Sequence, residues 1–563
     1  MPGFHVENFG CRAARADGEA MSGHLRASGL GQSLPEAAGV VVVNTCSVTA
    51  EADRAARAFI RRAHRLNPAA RIVVTGCYAQ RAPDELAAMP GVAAVVGNSH
   101  KALAPEIALS LFSSSGAHEV SGLNFIRGAS EARAVLSGSL EETPIREKHE
   151  VSGHDFSRAV DASKPPWALA PAASSLVTVQ SLLTSPGSPG HAPIWADDRF
   201  AHSFLEEAQL APGGQTRPNL KIQEGCSNRC TFCVIPQTRG SSRSLGAAAV
   251  LRQVEGFVAA GGKELVLSGI NLGRWGRDLA ADDCGAQYLW SPTLSPEKRR
   301  KDGARIFVTG ASSPRRSLAW LVCQIIESTA LPRLRLSSIE PMDWDADLIG
   351  LMAEFGGSRL ARHAHLPLQS GSDTVLRRMH RRYRPWHYAD KVAALLRAAG
   401  PDLTLGADVM AGFPGETDRE FEETLAFVRA LPLAYLHLFP FSPRPGTRAW
   451  ALHAESPIPA AVVNERMAAL RAMAEEKSRN HRSRFIGRTL EAITLGTPAA
   501  LARRGRTSAL TENFLPVEIE GALLANRLVR VTVHGLNRDM TLDATLRTAG
   551  NASIQYEATA ISV

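Results

Sequence analysis

Three cysteines within eight residues, Cys226, Cys230 and Cys233 in GCSNRCTFCVIPQTRG, are the densest group of metal-binding side chains in this 563-residue chain. Their C-x3-C-x2-C spacing can present three thiolates to one metal centre. A [4Fe–4S] cube has four irons, so three thiolates leave one iron open to a ligand from outside the protein. That iron could chelate the amino and carboxylate groups of S-adenosylmethionine and set its sulfonium beside a one-electron donor. A structural zinc site completed by a distant histidine or cysteine is the competing reading. Such sites commonly pair two C-x2-C elements, and the sequence has no second close pair.

These side chains act together only if the fold delivers them to one place. Cys11, Cys46 and Cys77 each end a β-type run: FHVENFGC, GVVVVNTC and RIVVTGC. Helix-like stretches, DGEAMSGHLRASGL and TAEADRAARAFIRRAHRLN, lie between them. The repeat is roughly 30–35 residues, one strand-plus-helix unit of a parallel sheet. This alternation predicts an N-terminal α/β domain over 1–105. Its three thiols would sit at the carboxyl ends of parallel strands, the edge where open α/β sheets bind ligands. Gly10 and Gly76 would allow tight turns just before their cysteines. Lone buried cysteines also serve as small hydrophobes, so the residues alone leave ligand and core roles both open.

From 106 to 216 the pattern dissolves into stretches such as SKPPWALAPAASS and TSPGSPGHAP, which predict a partly disordered linker. Periodicity returns over 217–485. Strand-like NLKIQEG runs straight into Cys226, and KELVLSG, RLRLSSIE, HAHLPLQSG, TLGADVMAGF and AYLHLFPFS follow, separated by helix-like segments. Six β/α units in series predict a parallel barrel or partial barrel whose active face is built from the loops after each strand. Residues in those loops, Ser268, Gly269, Asn271, Ser338, Glu340, Gln369 and Gly412, are the cofactor-binding candidates. An irregular insert, 281–316, interrupts this region and carries Cys284. Neither Cys284 nor Cys323, within an apolar helix pattern, fits a motif. Short strands over 486–555, including LEAITLGT, SALTENFLPVEIEG and RLVRVTVHG, predict a small all-β module.

Composition narrows the setting. The chain is 45% hydrophobic and 21% charged, with a formal net charge of +8. No apolar run approaches the roughly 18 residues of a membrane span, and the N-terminus lacks the pattern of a secretory signal. Eight cysteines are too few for a disulfide scaffold. A cytoplasmic protein with reduced thiols and no membrane partner is expected. The basic balance points toward a polyanion. RRMHRRYR holds Arg377, Arg378, Arg381, Arg382 and Arg384, followed by Trp386 and Tyr388, and Lys477 to Arg506 holds eight Lys/Arg with Glu491 as its acid. Arginines with aromatics suit phosphate contact and base stacking on an unpaired RNA loop. A solvated helix face is the plainer account of each run taken singly.

The C-x3-C-x2-C motif at the top of a β/α barrel resembles that of the radical S-adenosylmethionine enzymes. The strings RPNLKIQEGCSNRCTFCVIPQTRGSSRS, HLPLQSGSD, GADVMAGFPGET and FPFSPRPGT are similar to the methylthiotransferase branch, and the resemblance covers 1–105 and about 217–550. It implies an α/β multidomain chain: a flavodoxin-like N-terminal domain, a partial (β/α)6 radical barrel, and a C-terminal TRAM module. TRAM is a small, OB-like, RNA-associated β-barrel, recognised here mainly through SALTENFLPV. The resemblance further implies two [4Fe–4S] clusters. One, on Cys226, Cys230 and Cys233, would generate a radical from S-adenosylmethionine; the other, on Cys11, Cys46 and Cys77, would supply sulfur. The implied reaction replaces hydrogen at an unactivated carbon by a methylthio group. It requires a one-electron reductant of the flavodoxin or ferredoxin type and a sulfur donor that the sequence does not name. Two departures stand out. Ala14 occupies a position where many relatives carry Asn. GGKE at Gly261–Glu264 imitates the glycine-rich cofactor motif of the superfamily but precedes its strand, on the wrong barrel face.

FGCRAARAD, RLRLSSIEPMDW and VLSGINLGRWGRDL most closely resemble the group acting on N6-threonylcarbamoyladenosine in tRNA, which makes the tRNA anticodon loop the expected partner. Another tRNA adenosine derivative or a ribosomal protein side chain is the alternative within the family. A non-catalytic metal-binding RNA protein is the alternative outside it.

Overall fold

The computed structural model describes residues 3–113, 192–198, 200, 216–279 and 317–547. The linker expectation for 114–191 and the insert expectation for 281–316, with Cys284, lie outside the described residues.

The first sheet is parallel and runs in the order β2-β1-β3-β4-β5-β6, where β1 is Gly3–Asn8, β2 Gly31–Gln32, β3 Val40–Thr45, β4 Arg71–Gly76, β5 Val92–Gly97 and β6 Ile194–Trp195. All of β3 is buried, because helices cover both faces. A strand in that position reads as a continuous apolar run rather than an alternation, which is what VVVVNT shows. Val41, Val43, Ile72 and Val74 pack with Phe59 and Ile60 of the helix Ala50–Leu66. On the other face Phe4, Val40, Val42 and Val73 pack with Met21 and Leu25 of the helix Arg12–Ala27 and Ile107 of the helix Ala104–Ser113. The Thr49 hydroxyl caps the Ala50–Leu66 helix by accepting from the Ala52 amide at 3.2 Å. Strand β6 comes from the stretch read as linker. Two residues are too few to carry a period, so the sequence pattern cannot reveal them.

Six parallel strands then form the open barrel: β7 (Asn219–Glu224), followed after the short antiparallel β8 (Arg243–Ser244) by β9 (Glu264–Gly269), β10 (Arg333–Leu336), β11 (His363–Gln369), β12 (Thr404–Ala411) and β13 (Tyr435–Pro440). The bridges Leu334↔Leu360 and Ser338↔His365 join β10 to the β11 half. Alternation sorts the side chains. Leu366, Leu368, Leu405, Ala407 and Val409 enter the shared core with the outer helices, whereas His363, His365 and Asp408, two residues apart along their strands, share the opposite face. The helix Arg12–Ala27 of the first domain lies against β7, the first parallel strand of the open barrel.

The last five strands, β14 (Thr489–Thr494), β15 (Arg506–Thr511), β16 (Pro516–Glu520), β17 (Leu528–Leu536) and β18 (Leu542–Leu546), close into a barrel in the order β14-β15-β16-β18-β17. Its own core includes Leu490, Val517, Ile519, Val531 and Leu542. The turn between β15 and β16 docks it under the larger barrel. Arg335 Nη2 donates to the Thr511 and Glu512 carbonyls at 3.3 and 3.0 Å, and Arg362 Nε donates to Glu512 Oε1 at 2.8 Å. Among the described residues, no helix is long and apolar enough to cross a membrane.

Candidate functional site

Cys11, Cys46 and Cys77 follow β1, β3 and β4, three neighbouring strands, directly at their carboxyl ends. Two glycines make the convergence possible. Gly10 has φ +97°, and a Cβ there would lie 2.2 Å from Cys46 Cβ. Gly76 has φ +102°, and a Cβ there would lie 2.2 Å from the Thr45 carbonyl oxygen. Cys46 and Cys77 are buried and Cys11 is half-buried. Burial, reinforced by Cys11 and Cys77, pushes the Cys46 thiol up to about 12. Ala14 is buried, and its carbonyl accepts from Asn44 Nδ2 at 2.5 Å, which ties the helix start to β3.

Cys226, Cys230 and Cys233 occupy the loop leaving β7 and are each half-buried. The loop folds on itself: the Cys226 amide donates to the Gly240 carbonyl at 3.0 Å, and the Asn228 amide to Cys226 Sγ at 3.4 Å. Burial, with Cys230 and Cys226 adding to it, pushes the Cys233 thiol up to about 12. Burial thus favours the protonated form of the Cys46 and Cys233 thiols, and metal loading must displace those protons.

The two sets face one another across a buried ionic joint that the sequence reading missed. Arg239, six residues after Cys233, donates from Nε to Cys77 Sγ at 3.2 Å. Its two other nitrogens pair with Glu224 and, at 3.2 Å, with Asp17. Lys221 pairs with both Asp17 and Glu224, and Lys101 with Asp17. All five side chains are buried. Three cations meet two carboxylates, which leaves one positive charge beside Cys77. Although burial opposes it, those three cations hold the Asp17 carboxyl below the ordinary range. The available signal was Lys221 and Glu224 in a barrel strand, NLKIQE, that leads into the cysteine loop, and Asp17 on the buried face of a helix. Nearby, Arg444 Nη1 reaches Asp53 at 2.6 Å, and Arg81 reaches the same carboxylate at 2.8 Å.

The expected cofactor residues fall around the mouth of the barrel. Asn271 Nδ2 lies 3.7 Å from Cys226 Sγ, and its amide donates to Gln223 Oε1 at 2.6 Å. Gly269 closes on Gln223, and Ser268 Oγ bonds the Leu220 carbonyl at 3.4 Å. Ser338 Oγ bonds His365 Nδ1 at 2.9 Å. Gln369 is buried with φ 66°, and the Gly412 amide donates to Glu416 Oε2 at 2.8 Å. Glu340 pairs with Arg381. Among the described residues Asn271 Oδ1, Ser337 Oγ and Gln369 Oε1 are buried without a hydrogen-bond partner. Three unsatisfied polar atoms at successive strand ends suit a polar ligand. In GGKE, Glu264 instead starts β9 and is held by Arg217, Arg333 and Arg335.

The basic run differs from its expectation. The helix ends at Arg378, His380 turns with φ 54°, and the arginines disperse. Arg381 is buried, with Nη1 3.3 Å from Cys230 Sγ. Arg378 pairs with Glu420, while Arg377 and Arg384 both pair with Asp373. Arg377 and Arg382 are exposed, and of the five Arg382 is the one without an ion pair among the described residues. Nearby carboxylates claim the others, so this run is not one phosphate-facing surface. In the second run Arg488 pairs with Asp402 at 2.6 Å and Arg484 bonds the Pro401 carbonyl at 2.8 Å, both serving the docking of the C-terminal barrel.

Deeper in the barrel, Asp408 Oδ1 lies 3.3 Å from both His365 Nε2 and His437 Nδ1. This is the only trio of His, Cys, Asp or Glu among the described residues whose ligand atoms all fall within 4.8 Å. Neither cysteine set is so tight. A tetrahedral zinc would hold its sulfurs about 3.8 Å apart, so three thiols in mutual electrostatic contact but more widely spread fit a cube better than a single ion. The half-open donor count and the neighbouring cations, Arg239 and Arg381, fit the net negative charge of such a cube.

Comparison with known proteins agrees with this architecture. Residues 3–97 match the family described as "Uncharacterized protein family UPF0004", and residues 297–428 match the "Radical SAM superfamily". The chain is 29% identical over 532 residues to the threonylcarbamoyladenosine tRNA methylthiotransferase MtaB of Bacillus subtilis, covering 94% of this chain and 93% of that protein. It is 29% identical to the protein of that name from Aquifex aeolicus, covering 94% and 99%. It is 30% identical over 355 residues to the tRNA-2-methylthio-N(6)-dimethylallyladenosine synthase of Bacillus pumilus, covering 62% of each. The matched part of the barrel, which includes β10 to β12, places the chain with the radical S-adenosylmethionine enzymes, a class that uses S-adenosylmethionine and a [4Fe–4S] cluster. Within that class the chain is similar over nearly its whole length to methylthiotransferases of the MtaB name, and it is a transferase.

Proposed function

We propose that this chain is a tRNA methylthiotransferase that converts N6-threonylcarbamoyladenosine beside the anticodon to its 2-methylthio derivative. The observation that carries the reading is the pair of three-cysteine sites joined through Arg239, which follows the Cys226–Cys233 loop and donates to Cys77 of the other set. The names of the relatives supply the substrate class. Cys226, Cys230 and Cys233 would hold the radical-generating cluster, and Cys11, Cys46 and Cys77 a second cluster. When bound, these groups and S-adenosylmethionine supply one-electron removal of an unactivated hydrogen and a sulfur atom to replace it.

The chain's own residues set the stage for that chemistry. Asn271, Ser338, Glu340, Gln369 and Gly412, with Ser268 and Gly269 behind them, would orient the cofactor at the strand ends. Arg381 beside Cys230 and Arg239 beside Cys77 place positive charge against each thiolate set, which favours the more reduced, more negative state. The closed C-terminal barrel is read as a TRAM module, with exposed Arg503, and Arg504 paired with Glu518 at 3.8 Å, on the surface that would approach RNA phosphate. An electron donor of the flavodoxin or ferredoxin type would complete the system.

The test is the nucleoside profile of tRNA from cells with and without the protein. Loss of 2-methylthio-N6-threonylcarbamoyladenosine, with its unmethylthiolated precursor accumulating, is the expected result. An unchanged profile would overturn the tRNA reading, and loss of the dimethylallyl derivative instead would move the substrate to that of the second group of relatives.

A further inference from the structure

The lumen of the barrel holds a cation that the protein does not neutralise. Arg12 directly follows Cys11 and reaches inward from the first domain. Its guanidinium stands 5.7 Å from the centroid of the Phe514 ring, which the C-terminal barrel inserts from below. Arg217 and Arg335 lie over the same ring at 6.0 and 5.3 Å, so residues from all three domains meet at this ring.

The carboxylates nearby are already taken. Glu264 is shared by Arg217, Arg333 and Arg335. Asp408 is held by His365 and His437. Among the described residues, Arg12 has neither an ion pair nor a hydrogen bond; its contact is the π-face of Phe514. The space around it is not sealed. Arg12 is half-buried, and the His437 side chain, 57% exposed, stands at the opening beside Asp408. A largely desolvated, unpaired guanidinium that is still partly exposed is a receptor for an anion arriving from solvent.

Resting on the substrate class proposed above, we infer that Arg12 binds the carboxylate of the substrate adenosine's N6 side chain and is thereby the residue that selects an anionic modification over an apolar one. The chemistry separates the two groups of relatives. A threonylcarbamoyl group ends in a free carboxylate and carries a hydroxyl, whereas a dimethylallyl group carries no charge. The hydroxyl has partners within the same lumen in the Tyr435 phenol, bonded to His363 Nε2 at 2.8 Å, and in the Asp408–imidazole set. Arg12 is a binding and specificity residue here, with no part in hydrogen abstraction.

The test is equilibrium binding by the full-length, metal-free protein, read by fluorescence anisotropy, to anticodon stem-loops carrying N6-threonylcarbamoyladenosine or the corresponding carboxamide. Wild-type protein should bind the carboxylate RNA at least about tenfold more tightly than the amide, the worth of one charge-assisted contact. Arg12→Gln should bind both RNAs alike, with the affinity wild type shows for the amide; that match also shows the variant to be folded. Arg12→Lys should restore part of the preference. Equal wild-type affinity for the two RNAs, or an undiminished preference in Arg12→Gln, would overturn the inference. The two proposals fail separately. A methylthio nucleoside lost from the cellular profile, with no carboxylate preference in binding, sinks this inference and leaves the function standing. An unchanged profile sinks the function, and the role of Arg12 with it.

Discussion

The two cysteine sites solve one problem in opposite ways. Cys226, Cys230 and Cys233 lie on a single loop, so their convergence is local and depends on a few turns. Cys11, Cys46 and Cys77 come from three strands of one sheet, so their convergence depends on the strand order and on the backbone approach at Gly10 and Gly76. A contiguous site tolerates loosening of its domain better than an assembled one, because fewer long-range contacts must be right at once. The asymmetry matches the proposed division of labour, with radical generation on the contiguous site and sulfur supply on the assembled one.

Removing single ligands should break the comparison most sharply. Anaerobically reconstituted wild-type protein should bind about eight irons per chain, as two cubes require. Cys226→Ala should abolish S-adenosylmethionine cleavage, while Cys46→Ala should leave cleavage measurable and abolish methylthio product. Equal cleavage by the two variants would refute separate roles. Next in size is the joint between the sites. Asp17→Asn leaves Lys101, Lys221 and Arg239 facing Glu224 alone, and should cost about 3–5 kcal/mol in urea denaturation of the metal-free protein. Arg239→Met should cost less, because two lysines then still balance two carboxylates. The reverse order would mean that Arg239 is chiefly structural.

Gly10→Ala should act on the assembled site only. Strain at φ +97° alone is worth about 1–3 kcal/mol, and the new Cβ would collide with Cys46. The variant should keep about four irons per chain, those of the contiguous site, and retain S-adenosylmethionine cleavage. Iron content equal to wild type would show that the turn is more pliant than its contacts suggest. The smallest effect concerns pH. Although burial alone would raise it, Arg335, Arg217 and Arg333 hold the Glu264 carboxyl at about 2. A depressed folded-state value gives stability that is fully present above the ordinary carboxylate range and lost as pH falls toward about 2. Denaturation of the metal-free protein should therefore show stability falling between about pH 5 and pH 2.5, with a shallower fall in Glu264→Gln.

The same contrast explains what the sequence could disclose. Cys226, Cys230 and Cys233 announce themselves because a local motif is written contiguously. Cys11, Cys46 and Cys77 are legible only through the strand-plus-helix repeat that spaces them, and the six barrel strands follow from runs such as TLGADVMAGF. Pairing across domains left no such trace. Arg239 is one residue of a recognisable string, but nothing in QTRG says that it touches Cys77. The run RRMHRRYR misled because counting charge says nothing of the carboxylates that receive it: Glu340, Glu420 and Asp373 lie far away in sequence or behind a turn. Strand β6 was hidden by its length, and Phe514 by a left-handed turn, φ 68°, that its neighbours ENFLP do not advertise.

Phe514 also bears on the order in which the molecule becomes usable. Its ring lies 4.2 Å from that of His363 between centroids, under the larger barrel, yet it belongs to a domain that is made after the barrel strands. Domains fold largely as they emerge. The barrel strands and both cysteine sites are thus complete while the chamber below them still stands open to water. A chain interrupted before residue 514 would keep both cysteine sets and lack the ring that packs on His363 beneath them.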